Sequence, residues 1–317
     1  MGESLSKEDA IHEKINAVYS LFRRGDFTDA LEVLEDALAL DFEHKDVLSA
    51  LKCANFWKER VPRLSEMTDP FEIGEYLFKE WKVFLHFMGN KRDSFEQGIF
   101  AIRQWVFGHA LLKYTKVLRE SGDHDAEILF RVGRCYKGIG DYEHAIEFME
   151  MANRKRREDP EILAELADCY AIINEVRASK VFFREAFFIN PQKVDITNLE
   201  SLAICRLIER LQDMGYASPE LQEWIPVYGV IFGVFNVKRE LKAIEYGKLK
   251  QTIFSYEAMV AEDRERAVRE FVIPRLLNRY FWLIDHYIIS GEPREKIDEV
   301  LSKIRNLDES IYAQYNN

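Results

Sequence analysis

Seven histidines and four cysteines are the side chains best suited to acid–base, nucleophilic and metal chemistry, and in this sequence they are scattered. His12, His44, His86, His109, His124, His144 and His286 form no H-E-x-x-H and no Cys/His ligand spacing. Cys53, Cys135, Cys169 and Cys205 include no C-x-x-C pair, so buried thiols are expected rather than a metal site or disulfides. Asp285-His286 is an acid–base pair on paper, but neighbours on a helix point about 100° apart and do not face each other. Gly138-Ile139-Gly140 has the composition of a phosphate loop, yet it follows a helical pattern instead of a strand, and a turn accounts for it. No catalytic, metal-binding or cofactor-binding set is expected.

The charged and apolar stripes point to binding. Arg131, Arg134 and Lys137 form a basic row at helical spacing, beside Phe130. At the matching offsets 34 residues later stand Glu165, Asp168 and Ala171. One reading pairs Arg131 with Glu165 and Arg134 with Asp168 across neighbouring helices, where exposed ion pairs contribute about 0–1 kcal/mol each. The other makes a peptide groove of mixed charge, with the basic row steering acidic groups and Phe130 as apolar anchor. Asn153 to Arg157, N-R-K-R-R, suits a helix C-terminus, where positive charge complements the dipole; a nuclear address or anion patch is the alternative. Trp224 to Val237 is nearly all apolar and too short to span a bilayer. It is either a buried central helix or a partner or dimer interface built on Trp224, Tyr228, Gly229, Phe232 and Gly233. Gly2 and Ser6 fit a minimal myristoylation pattern, which is frequent by chance and has Glu3 as an awkward neighbour.

These residues need elements to hold them. Windows 126–159 and 160–193 repeat each other at an offset of 34: Leu129 returns as Leu163, Cys135 as Cys169, Tyr136 as Tyr170 and Ala152 as Ala186. Each window reads as helix, tight turn, helix. A hairpin period of this length marks a stacked solenoid, in which one unit cannot bury its own apolar face. Alternating runs are scarce, so almost no sheet is expected. Outside the repeats, helices are expected over 8–23, 27–40, 44–59, 70–88 and 94–120, then near 196–214, 219–236, 238–261, 263–290 and 293–314. Asp159-Pro160 and Ser218-Pro219 each set a capping residue before a proline, a helix-start signal. The stretch 70–120 is dense in aromatics at spacings of three and four and is expected to be core between long helices, with an aromatic ligand groove as the alternative. Four regions result: 1–61, a degenerate hairpin and helix; 62–125, long aromatic-rich helices; 126–193, the two clear repeats; and 194–317, a helical region with one degenerate repeat. The polar stretch 60–69 is the candidate linker.

The repeat residues resemble the tetratricopeptide repeat family. The first window supplies Leu129, Val132-Gly133, Tyr136, Gly140-Asp141-Tyr142, Ala145, Met149 and Ala152. The second supplies Leu163, Leu166-Ala167, Tyr170, Ser179, Phe183, Ala186 and Pro191. Gly133 and Ala167 are small where the two helices approach most closely, Tyr136 and Tyr170 fill the space between axes, Gly140 permits a left-handed helix end, and Pro191 stops the second helix. A weaker copy holds Leu21, Gly25-Asp26-Phe27, Ala30, Leu34 and Ala37, with Lys14 where a large apolar residue belongs. Another holds Tyr280, Leu283, Tyr287 and Gly291, with Lys296 and Lys303 at the two small-residue positions. The resemblance implies an all-α, helical-hairpin solenoid with flanking long helices. It also implies a non-enzymatic adaptor whose groove, lined by Phe130, Arg131, Arg134, Lys137, Glu165 and Asp168, holds a segment of another protein. Chaperone-binding members hold a peptide carboxylate with Lys and Asn; Phe130 and Arg134 stand at those offsets here, which argues against that ligand. The alternative function is a self-associating structural protein using the 224–237 helix.

Composition narrows the classes. A net charge of −11 disfavours broad phosphate contacts with nucleic acid and attraction to anionic membranes. Apolar residues make up 47%, ample for a core, and 8 prolines and 15 glycines argue against long disordered linkers. No N-terminal signal and no membrane-spanning run is visible, so a cytoplasmic, reduced environment is expected.

Overall fold

Caps and turns written into the sequence set most helix boundaries. A computed structural model describes residues 7–89, 95–121, 125–262 and 268–316; most of these are helical, and among them there is no strand. The Gly2–Ser6 pattern and His124 lie outside the described residues. The chain divides into two compact units, residues 1–152 and 153–317, each with its own hydrophobic core, so the boundary falls inside the first clear repeat, near the end of its second helix.

In the first unit, α1 (Lys7–Arg24) and α2 (Phe27–Leu40) form a hairpin that turns at Gly25, φ +81°. Lys14, the residue that breaks the apolar pattern here, reaches Asp36 of α2 at 3.0 Å. After α3 (Lys45–Lys58), the stretch expected as a linker holds the short α4 (Val61–Glu66). Arg60 ties it down, donating to Glu80 at 2.7 Å and stacking 3.5 Å over Phe56. The long α5 (Pro70–Met88) and α6 (Glu96–Ser121) supply the expected aromatic core. Trp57 lies 5.5 Å from Phe84 and meets Trp105 edge-on at 5.3 Å. Truncating such a ring costs about 3–5 kcal/mol. Phe87 and Phe100 are exceptions and stay exposed. α7 (Ala126–Ile139) and α8 (Tyr142–Lys155) follow, the end of α8 falling in the second unit.

In the second unit, α9 (Pro160–Ile172) starts as expected: Asp159 accepts from the Glu161 amide at 3.0 Å, with Pro160 in the first turn. α10 (Val176–Ile189) completes the hairpin. The helix expected at 196–214 starts late, as α11 (Leu202–Asp213). Asp195 accepts from the Thr197 amide at 3.1 Å and from Asn198 at 3.0 Å, so local side-chain bonds hold a tight 3-10 turn in place of an α-helix. Ser218 does not cap α12 (Glu220–Ile231); Pro219 occupies the cap position itself.

The 224–237 segment is the buried central helix of this unit and its exit. Trp224 and Tyr228 are only 7% and 5% exposed, and Gly229 is buried, so these residues do not form the outward interface that was the other reading. Phe232 and Gly233 are half-buried. The glycines do not make a helix–helix seam. Gly233 takes φ +75° at the helix end, and a Cβ on Gly229 would stand 2.3 Å from the Phe235 ring, which folds back onto it. Beyond an irregular connection come α13 (Ala243–Glu262), a π turn at 268–272, α14 (Ile273–Ile289), α15 (Arg294–Leu307) and α16 (Glu309–Asn316). The helix expected over 293–314 breaks at Asp308, which is extended and accepts from the Ile311 amide at 2.9 Å to start α16.

Candidate functional site

The repeat residues of α7 and α8 do what their types require. A Cβ on Gly133 would lie 2.7 Å from Met149 Cγ and 3.2 Å from the Ala145 carbonyl, so the two helices touch there. Tyr136 stacks on Phe148 at 5.5 Å, and Gly140 ends α7 at φ +89°. Leu129, Ala145 and Ala152 are fully buried. In the other hairpin Tyr170 stacks on Phe182 at 5.6 Å, and Leu163, Ala167, Phe183, Ala186 and Pro191 are buried.

The expected groove residues meet a different fate. Phe130, Lys137, Glu165 and Asp168 are 1%, 3%, 3% and 0% exposed, which corrects their assignment to an open groove wall. Arg131 binds Glu75 of α5 at 2.7 Å and Glu127 at 3.0 Å, and Arg134 lies over the Phe78 ring at 5.3 Å. Asp168 accepts from the Glu200 and Ser201 amides, both at 2.8 Å, and so pins the chain that leads into α11. Arg131 and Arg134 keep part of their surface.

The residues weighed for chemistry have structural partners. Asp285 pairs with Arg184, and its carboxyl is pushed up by burial against the pull of that guanidinium. His286 turns elsewhere, accepting from the Leu241 amide at 3.2 Å and lying 4.7 Å from the Tyr246 ring. Gly138 makes room for Phe107 of α6, whose ring a Cβ would meet at 2.2 Å. Burial pushes the Cys53 thiol up to about 12 and Cys135 well above its usual range, so neither is poised as a thiolate. Among the described residues, no group of three or more His, Cys, Asp or Glu side chains is placed to hold a metal ion. No described helix is long and apolar enough to cross a membrane.

A cleft with an apolar floor and a polar wall lies in the second unit, over the degenerate hairpin α14–α15. Both α13 and α15 pack on α14. Tyr246, Lys250, Ile253, Phe254 and Glu257 of α13, Tyr280, Leu283 and Tyr287 of α14, and Lys296, Glu299, Val300 and Lys303 of α15 line a cleft of about 330 Å³. Each set repeats at three and four residues, so each is one helix face. Ile253, Leu283 and Val300 are buried and form the apolar floor. At one end Tyr280 donates to Glu257 at 2.6 Å and Lys303 at 3.0 Å, both to the same carboxylate oxygen. At the other end the Tyr246 and Tyr287 hydroxyls meet at 3.4 Å, with Lys250 5.8 Å from the Tyr246 ring and Lys296 5.7 Å from the Tyr287 ring. Burial and these hydrogen bonds raise the pKa of Tyr280 and Tyr287, which remain neutral hydroxyls able to donate. Its hydrogen bond to Glu292 raises Lys296, which stays an ammonium. Phe254 stands on the rim, 73% exposed.

The signal for this site was present in the sequence. Lys296 and Lys303 depart from the repeat pattern at the two positions where small residues let helices close up. Tyr246, Lys250 and Phe254 carried no such flag, because an apolar–basic row on a long helix reads equally well as core edge.

The described structure defines a class: an all-helical protein with helical hairpins of repeat geometry. The tetratricopeptide repeat family model matches residues 126–153, covering α7 and nearly all of α8, and supports the relationship drawn from Gly133, Tyr136, Gly140, Ala145 and Ala152. No curated protein matches the chain. Hairpins of this family typically bind other proteins, and the match together with the all-helical fold suggests an interaction scaffold.

Proposed function

We propose that the protein is a non-enzymatic interaction scaffold, acting in the cytoplasm, whose α13–α15 cleft seats a segment of another protein. The observation that carries this reading is the cleft itself. It has an apolar floor, three tyrosines, three lysines and an exposed phenylalanine on its rim, set over a repeat-like hairpin. Its volume falls at the lower end of the range for ligand sites, about 300–1,000 Å³, enough for one or two anchoring side chains.

Affinity capture with the full chain, wild type beside Phe254→Asp, tests it. Phe254 is exposed, so the substitution leaves the fold intact, which circular dichroism checks. Proteins recovered by wild type and lost from the variant are the expected result. Recovery of the same proteins in the same ratio from both would remove the cleft from the function.

A further inference from the structure

Resting on that reading of the cleft, we infer that its occupant is a helical segment of a partner protein carrying a side-chain carboxylate and a large apolar residue three or four positions apart. The argument starts from what remains unsatisfied. At the Glu257 end the carboxylate already accepts from Tyr280 and Lys303, and Lys303 also lies 3.6 Å from Glu299, so the lysine at that end is already paired. Lys296 already holds Glu292 at 2.7 Å. Lys250 is exposed and, among the described residues, has no carboxylate within ion-pair distance; its only partner is the Tyr246 ring. Beside it the Tyr246 and Tyr287 hydroxyls share one hydrogen bond, leaving donor capacity over. The Tyr246–Tyr287 end of the cleft therefore offers the Lys250 charge and a spare hydroxyl donor, which suit an anion.

Phe254 fixes the second half of the ligand. It lies four residues after Lys250, so the two stand on one face of α13, about 5–6 Å apart at their Cβ atoms. A partner that satisfies both must present a carboxylate and an apolar group at the same separation, which residues three or four apart on a helix do. The apolar group would cover Phe254 and reach the floor of the cleft.

The test uses the full chain and fluorescent, amide-capped helical peptides of about 15 residues at physiological salt. One set places Glu and Leu four apart, a second replaces Glu by Lys, and a third replaces Leu by Ser. The Glu/Leu set should bind about tenfold more tightly than either other set. Lys250→Glu should reverse the preference between the Glu and Lys sets, and Phe254→Ala should weaken binding of the Glu/Leu set. Equal binding of the Glu and Lys sets, or no change with Lys250→Glu, overturns the inferred carboxylate. If Phe254→Asp still abolishes that binding, the cleft reading survives the loss. Binding that Phe254→Asp leaves untouched overturns both. A concentration-dependent dimer in sedimentation, lost with Phe254→Asp, would make the occupant a second copy of the chain and overturn the inferred partner.

Discussion

Asp168 shows how far a residue's role can lie from its apparent one. Its offset in the repeat makes it a groove residue facing a basic row. In the structure it is fully buried, and its two oxygens accept from the Glu200 and Ser201 amides. Hydrogen bonds to a charged group are among the stronger ones, and losing the acceptor strands the Ser201 amide away from water. Asp168→Ala should therefore destabilise the second unit by about 2–4 kcal/mol, and Asp168→Asn by clearly less, since one carbonyl oxygen remains. Urea unfolding followed by circular dichroism reads both; an alanine variant as stable as its parent would mean the amides find other acceptors. No pattern in the sequence announces this contact. Helical spacing says which face Asp168 occupies, but the chain that folds over that face comes some thirty residues later and has no periodicity to read. Gly133, Tyr136 and Gly140 were legible for the opposite reason: their partners, Met149, Phe148 and the α7 C-terminus itself, lie within one hairpin.

At the scale of elements, the α7–α8 hairpin depends on a contact with no spare volume. A Cβ at position 133 meets Met149 Cγ at 2.7 Å, and Met149 can shift; it also meets the Ala145 carbonyl at 3.2 Å, which can yield only a little. Gly133→Ala gains up to about 1 kcal/mol of helix propensity against that strain and should stay near neutral. Gly133→Leu has no such balance and should cost about 1–3 kcal/mol by overpacking. Thermal melts of the two variants side by side decide it: equal melting temperatures would show that the helices part freely at this point. The same reasoning explains which helix ends were legible. Asp159-Pro160 worked because cap and proline act on the backbone within one turn. The end of α12 was missed because apolar residues continue past Ile231. What stops the helix is the tertiary packing of Phe235 on Gly229, together with Gly233 in the left-handed region. The break at Asp308 was missed for a related reason: its side chain caps a new helix where the apolar periodicity of α15 runs on.

At the scale of the whole molecule, the repeat period and the packing units differ in what they report. The period joins 126–193 into one block because it detects similar hairpins. Compactness separates Ala152 from Asn153 because it detects which apolar side chains share a core. The core of the second unit runs from Leu163 to Ile311 and includes the fully buried Phe187, Ile225, Phe235, Leu277 and Phe281. A piece spanning 153–317 is well beyond the roughly 40 residues below which chains usually need staples to fold. It also contains every residue of the α13–α15 cleft. Expressed alone, it should unfold in a single cooperative transition with tertiary near-ultraviolet signal from Trp224 and Trp282, and it should bind the Glu/Leu peptides as the full chain does. A broad, non-cooperative melt would show that its core needs the first unit. A cooperative melt without peptide binding would show instead that the fold of this unit suffices for stability but not for recognition.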